Sequence, residues 1–175
     1  FPQAIRELAE KTGVVLEEKA LAPTAPKKDE KERMRQCLEA ALAFYQSQLT
    51  SSQLAKDYLQ KRGVPQEQIT QFQIGYAPDS FSATYEYLLK AGFSRQEILA
   101  AGMCIQKELS EERMYDRFRN RLMFPIHDQQ GHVVGFGGRT LADDDAKYIN
   151  SSESPLFHKS EVLFGIHHAR DSIRE

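Results

Sequence analysis

Met34, Cys37, Leu38, Ala41, Leu42, Tyr45 and Leu49 recur at steps of three and four in an otherwise charged stretch. That spacing gathers apolar side chains into one stripe and predicts an amphipathic helix packed into a core. Ser52 to Arg62 predicts a second helix stopped by Gly63, and Pro65 opens a short third one. Phe72 to Tyr76 is expected as a brief strand. Ser82 starts a further helix, and Ser94, with Glu97 three residues on as a capping box, starts another; Gly92 and Gly102 close them. The period then changes. Leu122, Met123, Phe124 and Ile126, followed by Val133, Val134 and Phe136, predict two strands joined at Asp128-Gln129-Gln130-Gly131, a hairpin signal. Helices first and strands later predict an α+β architecture, a helical amino-terminal part packed beside a small mixed or antiparallel sheet.

The amino-terminal stretch has its own pattern. Phe1 to Glu10 reads as a helix with Pro2 in its first turn and Gly13 as its stop, whereas Glu17 to Glu32 is charged, carries Ala22-Pro23-Thr24-Ala25-Pro26 and has no apolar period. The expected division is therefore 1–16, a linker over 17–32, and one domain over 33–175. With 41% hydrophobic and 27% charged residues in a chain of 175, composition supports a domain with a core and excludes fibres and wholesale disorder. Apolar runs fall far short of a membrane span, so a soluble and cytoplasmic protein is expected. The net charge of −2 argues against a uniformly basic surface, so any nucleic-acid binding must rest on local clustering. Cys37 and Cys104 form no C-x-x-C or C-x-x-H pair and read as buried thiols, so no structural zinc site is expected here. His127, His132, His158, His167 and His168 lack the spacing of a metal motif and are expected in exposed or capping roles.

Candidate chemistry concentrates in residues 115–159. Arg117, Arg119 and Arg121 follow one another at spacing two, which on an extended chain sends three guanidiniums to one face, either to meet phosphates or to pair with Asp116 and Asp128. Gly135-Phe136-Gly137-Gly138-Arg139 removes Cβ atoms beside an arginine. The glycines could form a bulge or bend, or admit a ligand to the backbone, but they match neither a P-loop nor a complete G-x-G-x-x-G motif. Lys147, Tyr148, Asn150 and the following serines supply a cation, a stacking ring and hydrogen-bonding groups, and Lys159 could close the same surface. An edge strand followed by a turn accounts for the same residues without any ligand.

The run RFRNRLMFPIHDQQGHVVGFGGR, then KYINSSESPLFHK and LFGIHHA, closely resembles the amino-terminal half of the RNA-polymerase core of bacterial DnaG-type DNA primases. The departures are mild: Ser152 stands where the family usually has Pro, Ser154 where it has Thr, and Phe164 where Tyr is frequent. SQLAKDYLQKRGVPQEQITQFQIGYAP resembles the opening of the same core, and residues 1–16 resemble the last helix of the family's zinc-binding domain.

The resemblance implies part of an enzyme that copies single-stranded DNA into short RNA primers. This part would bind the template and the RNA–DNA hybrid through Arg117, Arg119, Arg121, Arg139, Lys147, Tyr148, Asn150 and Lys159; Arg139, Lys147 and Asn150 are expected nearest the transferred phosphates because they bracket the bare glycines where a backbone can approach. It also implies Zn and Mg or Mn at sites outside this chain, ribonucleoside triphosphates as substrates, and a replicative helicase bound through a further carboxyl-terminal domain. The catalytic acids would lie in a Toprim fold beyond Glu175, so the chain alone is expected to be inactive and no catalytic residue is assigned. Two other readings compete: a non-enzymatic single-stranded nucleic-acid-binding module, and a small-molecule phosphoryl or nucleotidyl enzyme that wraps GFGGR around a nucleotide.

Overall fold

The computed structural model describes residues 28–107, 110–142, 146–167 and 169, with the backbone alone for 107 and 110–113. The first element is a long helix, α1 (Lys28–Ser51), whose stripe Met34, Cys37, Leu38, Ala41, Leu42, Phe44, Tyr45 and Leu49 is buried. Its first turn carries Asp29 and Glu30, which complement the positive end of the helix dipole. The helix therefore starts inside the stretch read as linker, and 28–32 are helical rather than irregular. Residues 1–27, with the expected first helix and the rest of the linker, lie outside the described residues.

Next come α2 (Gln53–Lys61), with Ser52 as its N-cap, and α3 (Gln66–Gln71) after Pro65. Gly63, at φ +66, closes α2: its N–H meets the Gln60 carbonyl and the Val64 N–H meets that of Leu59. The same pair of bonds ends α3, but there Gln73 occupies the left-handed position at φ 50, which no glycine signals in the sequence.

The strand expected over 72–76 is β1 (Gly75–Ala77). Then come α4 (Ala83–Lys90), α5 (Arg95–Ala100), β2 (Cys104–Lys107), β3 (Ser110–Asp116), β4 (Arg121–His127), β5 (Val133–Thr140) and β6 (Tyr148–Asn150). Ser94 and Glu97 make the expected capping box on α5. Ser82 stands at the N-cap of α4 but does not cap it. Its hydroxyl donates to Glu86 Oε1 at 2.8 Å; of the free amides of the helix, Ala83 N goes to Ser80 Oγ at 3.2 Å, and two go to the buried carboxylate of Asp116, from Thr84 N at 2.7 Å and Tyr85 N at 2.9 Å. Burial pushes the Asp116 pKa up, against the downward pull of those two backbone donors.

Four strands form an antiparallel sheet in the order β1-β4-β5-β6, while β2 and β3 form a separate hairpin. That hairpin has no counterpart in the sequence reading, which gives no element to 103–114. One face of the four-stranded sheet lies on α1. The approach is so close that a Cβ on Gly75 would stand 2.6 Å from Tyr45 Cβ, and the Tyr45 ring meets Phe136 edge-on at 5.4 Å. Cys37, Leu38, Tyr45, Ile98, Met103, Phe118, Met123 and Phe136 belong to the core between them. On the opposite face, α2 covers Tyr76 and Leu122 through Ala55 and Leu59, with Ile69 of α3 and Ile74 in the same cluster.

Candidate nucleic-acid interface

Register decides which residues can act together. Leu122 pairs with Arg139, Phe124 with Gly137, Gly137 with Asn150 and Arg139 with Tyr148. Because side chains alternate along strands, Gly137, Arg139, Tyr148 and Asn150 share the face that α2 and α3 cover only in part. Arg121, Met123, Phe136 and Gly138 belong to the core face.

Arg139 is the centre of this open strip. Its guanidinium lies 4.5 Å from the Tyr58 ring centroid and 5.8 Å from that of Tyr148, and it donates to the Thr140 carbonyl at 3.1 Å. Tyr58, from α2, also carries a second cation: Arg62 lies 5.4 Å from its centroid and donates from Nε to its hydroxyl at 3.0 Å. Among the described residues no carboxylate comes within ion-pair distance of Arg62 or Arg139. Tyr148 keeps 65% of its surface exposed, and Lys147, Asn150 and Lys159 are exposed as well. Tyr58 and Arg62 were missed in the sequence because their helix reads as scaffold, and only the fold of α2 over the sheet brings them to Arg139.

The arginine row does not share a face as the spacing suggested. Residues 117–120 are not a strand, and Asn120, at φ 48, turns the chain so that alternation is lost before β4 begins. Tyr76 fixes that turn by donating to Asn120 Oδ1 at 3.0 Å. Arg117 gives two N–H groups to the Asn150 carbonyl, at 2.8 and 3.2 Å, and thereby holds the end of β6. Desolvation lowers its pKa. Arg119 donates to the Asp116 carbonyl at 2.7 Å and stacks over Phe81 at 4.8 Å and Tyr115 at 5.5 Å, forming a second cation–aromatic cluster in which Phe81 is 70% exposed. Arg121 is buried on the core face and donates to the carbonyl of Ala146 at 2.9 Å. Backbone carbonyls, rather than Asp116 or Asp128 carboxylates, thus answer much of the charge expected to need a counter-ion.

The glycines of 135–138 also differ from expectation, because the protein fills two of them itself. A Cβ on Gly138 would stand 2.9 Å from Phe118 and one on Gly135 3.1 Å from Ser151. Neither leaves bare backbone for a nucleotide to approach, so of the glycines that Arg139, Lys147 and Asn150 are expected to bracket, these two admit none. Gly137 is different: it faces the side chain of Asn150, with Oδ1 3.2 Å from a built Cβ, on the open face.

A metal does not fit the described residues. Among the described residues, no three His, Cys, Asp or Glu side chains cluster to hold one. Cys37 and Cys104 are buried, and burial pushes both thiols up to about 12, where the thiolate a metal requires is suppressed. His132 lies 3.2 Å from Asp128 and His158 3.2 Å from Glu153, while His127 meets Gln73 Oε1 at 2.9 Å. No described helix is long and apolar enough to cross a membrane.

A family model described as "DNA primase catalytic core, N-terminal domain" matches residues 44–170. A DNA primase of Halalkalibacterium halodurans is 39% identical over 178 residues, covering 100% of this chain and 29% of that protein. Among solved structures, the DnaG primase catalytic domain bound to ssDNA superposes with a TM-score of 0.75 at 38% identity, over 82% of this chain and 46% of its own. The zinc-binding and RNA polymerase domains of the Aquifex aeolicus primase give a TM-score of 0.75 at 31% identity, over 98% of this chain and 40% of theirs. The chain spans less than a third of the length of the curated relatives it matches.

Proposed function

The chain belongs to the bacterial DnaG-type DNA primases, and from that membership we propose that it is the template-gripping part of a primase that synthesises short RNA primers. On this reading 1–16 ends a zinc-binding domain, 17–32 leads into the core, and 33–175 is the amino-terminal subdomain of the RNA-polymerase core. The observation that carries it is the open strip on β5 and β6, where Arg139 and Tyr148 are cross-strand partners beside Gly137 and Asn150.

Arg139, Lys147 and Lys159 neutralise backbone phosphates of single-stranded DNA and of the RNA–DNA hybrid, and Arg62 extends that row onto α2. The exposed ring of Tyr148 stacks on a base, a contact indifferent to sequence because every base has a π-face. Asn150 offers its amide to phosphate or sugar. Arg117 and Arg119 retain guanidinium donors beyond those spent on carbonyls and lie at the margin of the grip, whereas Arg121 supports it from below. Zinc and Mg or Mn, the ribonucleoside triphosphates and the replicative helicase belong to the whole protein, acting at the replication fork in the cytoplasm.

Salt titration of single-stranded DNA binding tests the assignment. Log affinity against log salt should fall with a slope of roughly −0.7 per neutralised phosphate, so Arg139→Ala and Lys147→Ala should each weaken binding and flatten the slope by about that amount. Unchanged affinity and slope in both variants would overturn it.

A further inference from the structure

We propose that Tyr58 is a positioning residue that holds Arg62 and Arg139 around its ring as one two-armed phosphate clamp, an inference that rests on the nucleic-acid reading above. Two guanidiniums converge on a single phenol ring, Arg139 at 4.5 Å and Arg62 at 5.4 Å from its centroid. Among the described residues no carboxylate pairs with either one. Like charges gathered without a counter-charge repel, so something else must hold them together.

Tyr58 supplies two restraints and is itself held in place. The ring attracts both cations through its quadrupole. Its hydroxyl accepts from Arg62 Nε at 3.0 Å, fixing that side chain one helical turn along α2. Its own position is set by packing against the cluster of Leu49, Ala55, Leu59, Ile74, Tyr76 and Leu122, which fastens α2 to the sheet. Arg139 is restrained further by Tyr148 and by the Thr140 carbonyl. The two arms come from different elements, a helix and a strand, and Tyr58 is the side chain both of them touch. A phosphate diester on a flexible single strand is the ligand class that supplies the missing negative charge to two such forks at once.

The test compares Tyr58→Leu, Tyr58→Phe, Arg139→Ala and the double variant Tyr58→Leu/Arg139→Ala in the full-length protein, using an oligothymidylate in salt titrations and a thermal melt of each. Tyr58→Leu keeps apolar bulk but loses the ring. It should weaken binding several-fold and flatten the salt slope, as Arg139→Ala does, while Tyr58→Phe keeps the ring and most of the affinity. The double variant should bind little worse than Arg139→Ala alone. A merely structural role would lower the melting temperature of Tyr58→Leu and leave its salt slope at the parent value. If Arg139→Ala weakens binding and Tyr58→Leu does not alter the slope, the clamp is overturned while the nucleic-acid reading stands. If neither variant alters binding, both are overturned.

Discussion

Asp116 ends β3 and also caps α4, a helix that begins more than thirty positions earlier in the chain, and replacing it should cost the fold more than removing any serine cap. The carboxylate takes the N–H of Thr84 at 2.7 Å and of Tyr85 at 2.9 Å, while Thr84 and Asp116 are 0% and 1% exposed. In Asp116→Ala the Thr84 amide loses its partner where water cannot replace it, at a cost of about 1–3 kcal/mol, and the half-exposed Tyr85 amide adds about 1 kcal/mol. Relief of the carboxylate's own desolvation returns part of this, leaving a net loss of roughly 2–3 kcal/mol. For a domain of this size that is a fall of about 4–12 °C in melting temperature. Asp116→Asn retains one acceptor oxygen and should fall between parent and alanine. Ser82→Ala removes only an exposed bond to Glu86 and should lie within about 0.5 kcal/mol of parent. Thermal and urea melts of the three variants decide the matter. A near-parental Asp116→Ala beside a strongly destabilised Ser82→Ala would mean that the sequence-local serine is the true cap.

Other consequences can be checked with the same preparations. The Arg33 hydrogen bond, with the Ser94 amide, holds Glu97 well below its ordinary 4.5, at about 2. A depressed carboxylate stabilises above its unfolded pKa and loses that contribution on protonation, so the stability gap between parent and Glu97→Gln should be constant above about pH 5 and close as pH falls toward 2; a gap that widens on acidification would refute this assignment. Arg121→Leu should lower the melting temperature by freeing the Ala146 carbonyl and the β5–β6 connection, whereas Arg139→Leu should melt near parent and lose DNA binding; an exchange of those two phenotypes in melts and binding assays would contradict the burial argument. Cys37→Ser places a hydroxyl at a fully buried site and should destabilise by about 1–3 kcal/mol while sparing DNA affinity, which a melt and a titration would read together.

What the sequence discloses is local. The α1 stripe, the α5 capping box and the β4–β5 hairpin are each written within a few residues, and each forms where expected. The β2–β3 hairpin is not legible because its charged second strand has no alternating pattern; cross-strand pairing, such as Ile105 with Tyr115, decides it. The arginine row fails for a related reason: period two holds only in extended chain, and Asn120 interrupts it. Arg139, Tyr148 and Asn150 were legible as residue types, but their sharing of one face depends on the β5–β6 register. Tyr58 and Arg62 enter that neighbourhood only because α2 folds over the sheet, a long-range fact no local motif carries.

On the proposed reading the open strip of β5 and β6 grips single-stranded DNA. Backbone amide spectra recorded while an oligothymidylate is titrated into the chain test it residue by residue. Shifts should concentrate on Gly137, Arg139, Tyr148 and Asn150, reach Arg62 at the end of α2, and leave the Arg33–Glu97 contact between α1 and α5 unmoved. Shifts centred on that α1–α5 contact, with Arg139 and Tyr148 silent at saturation, would contradict it.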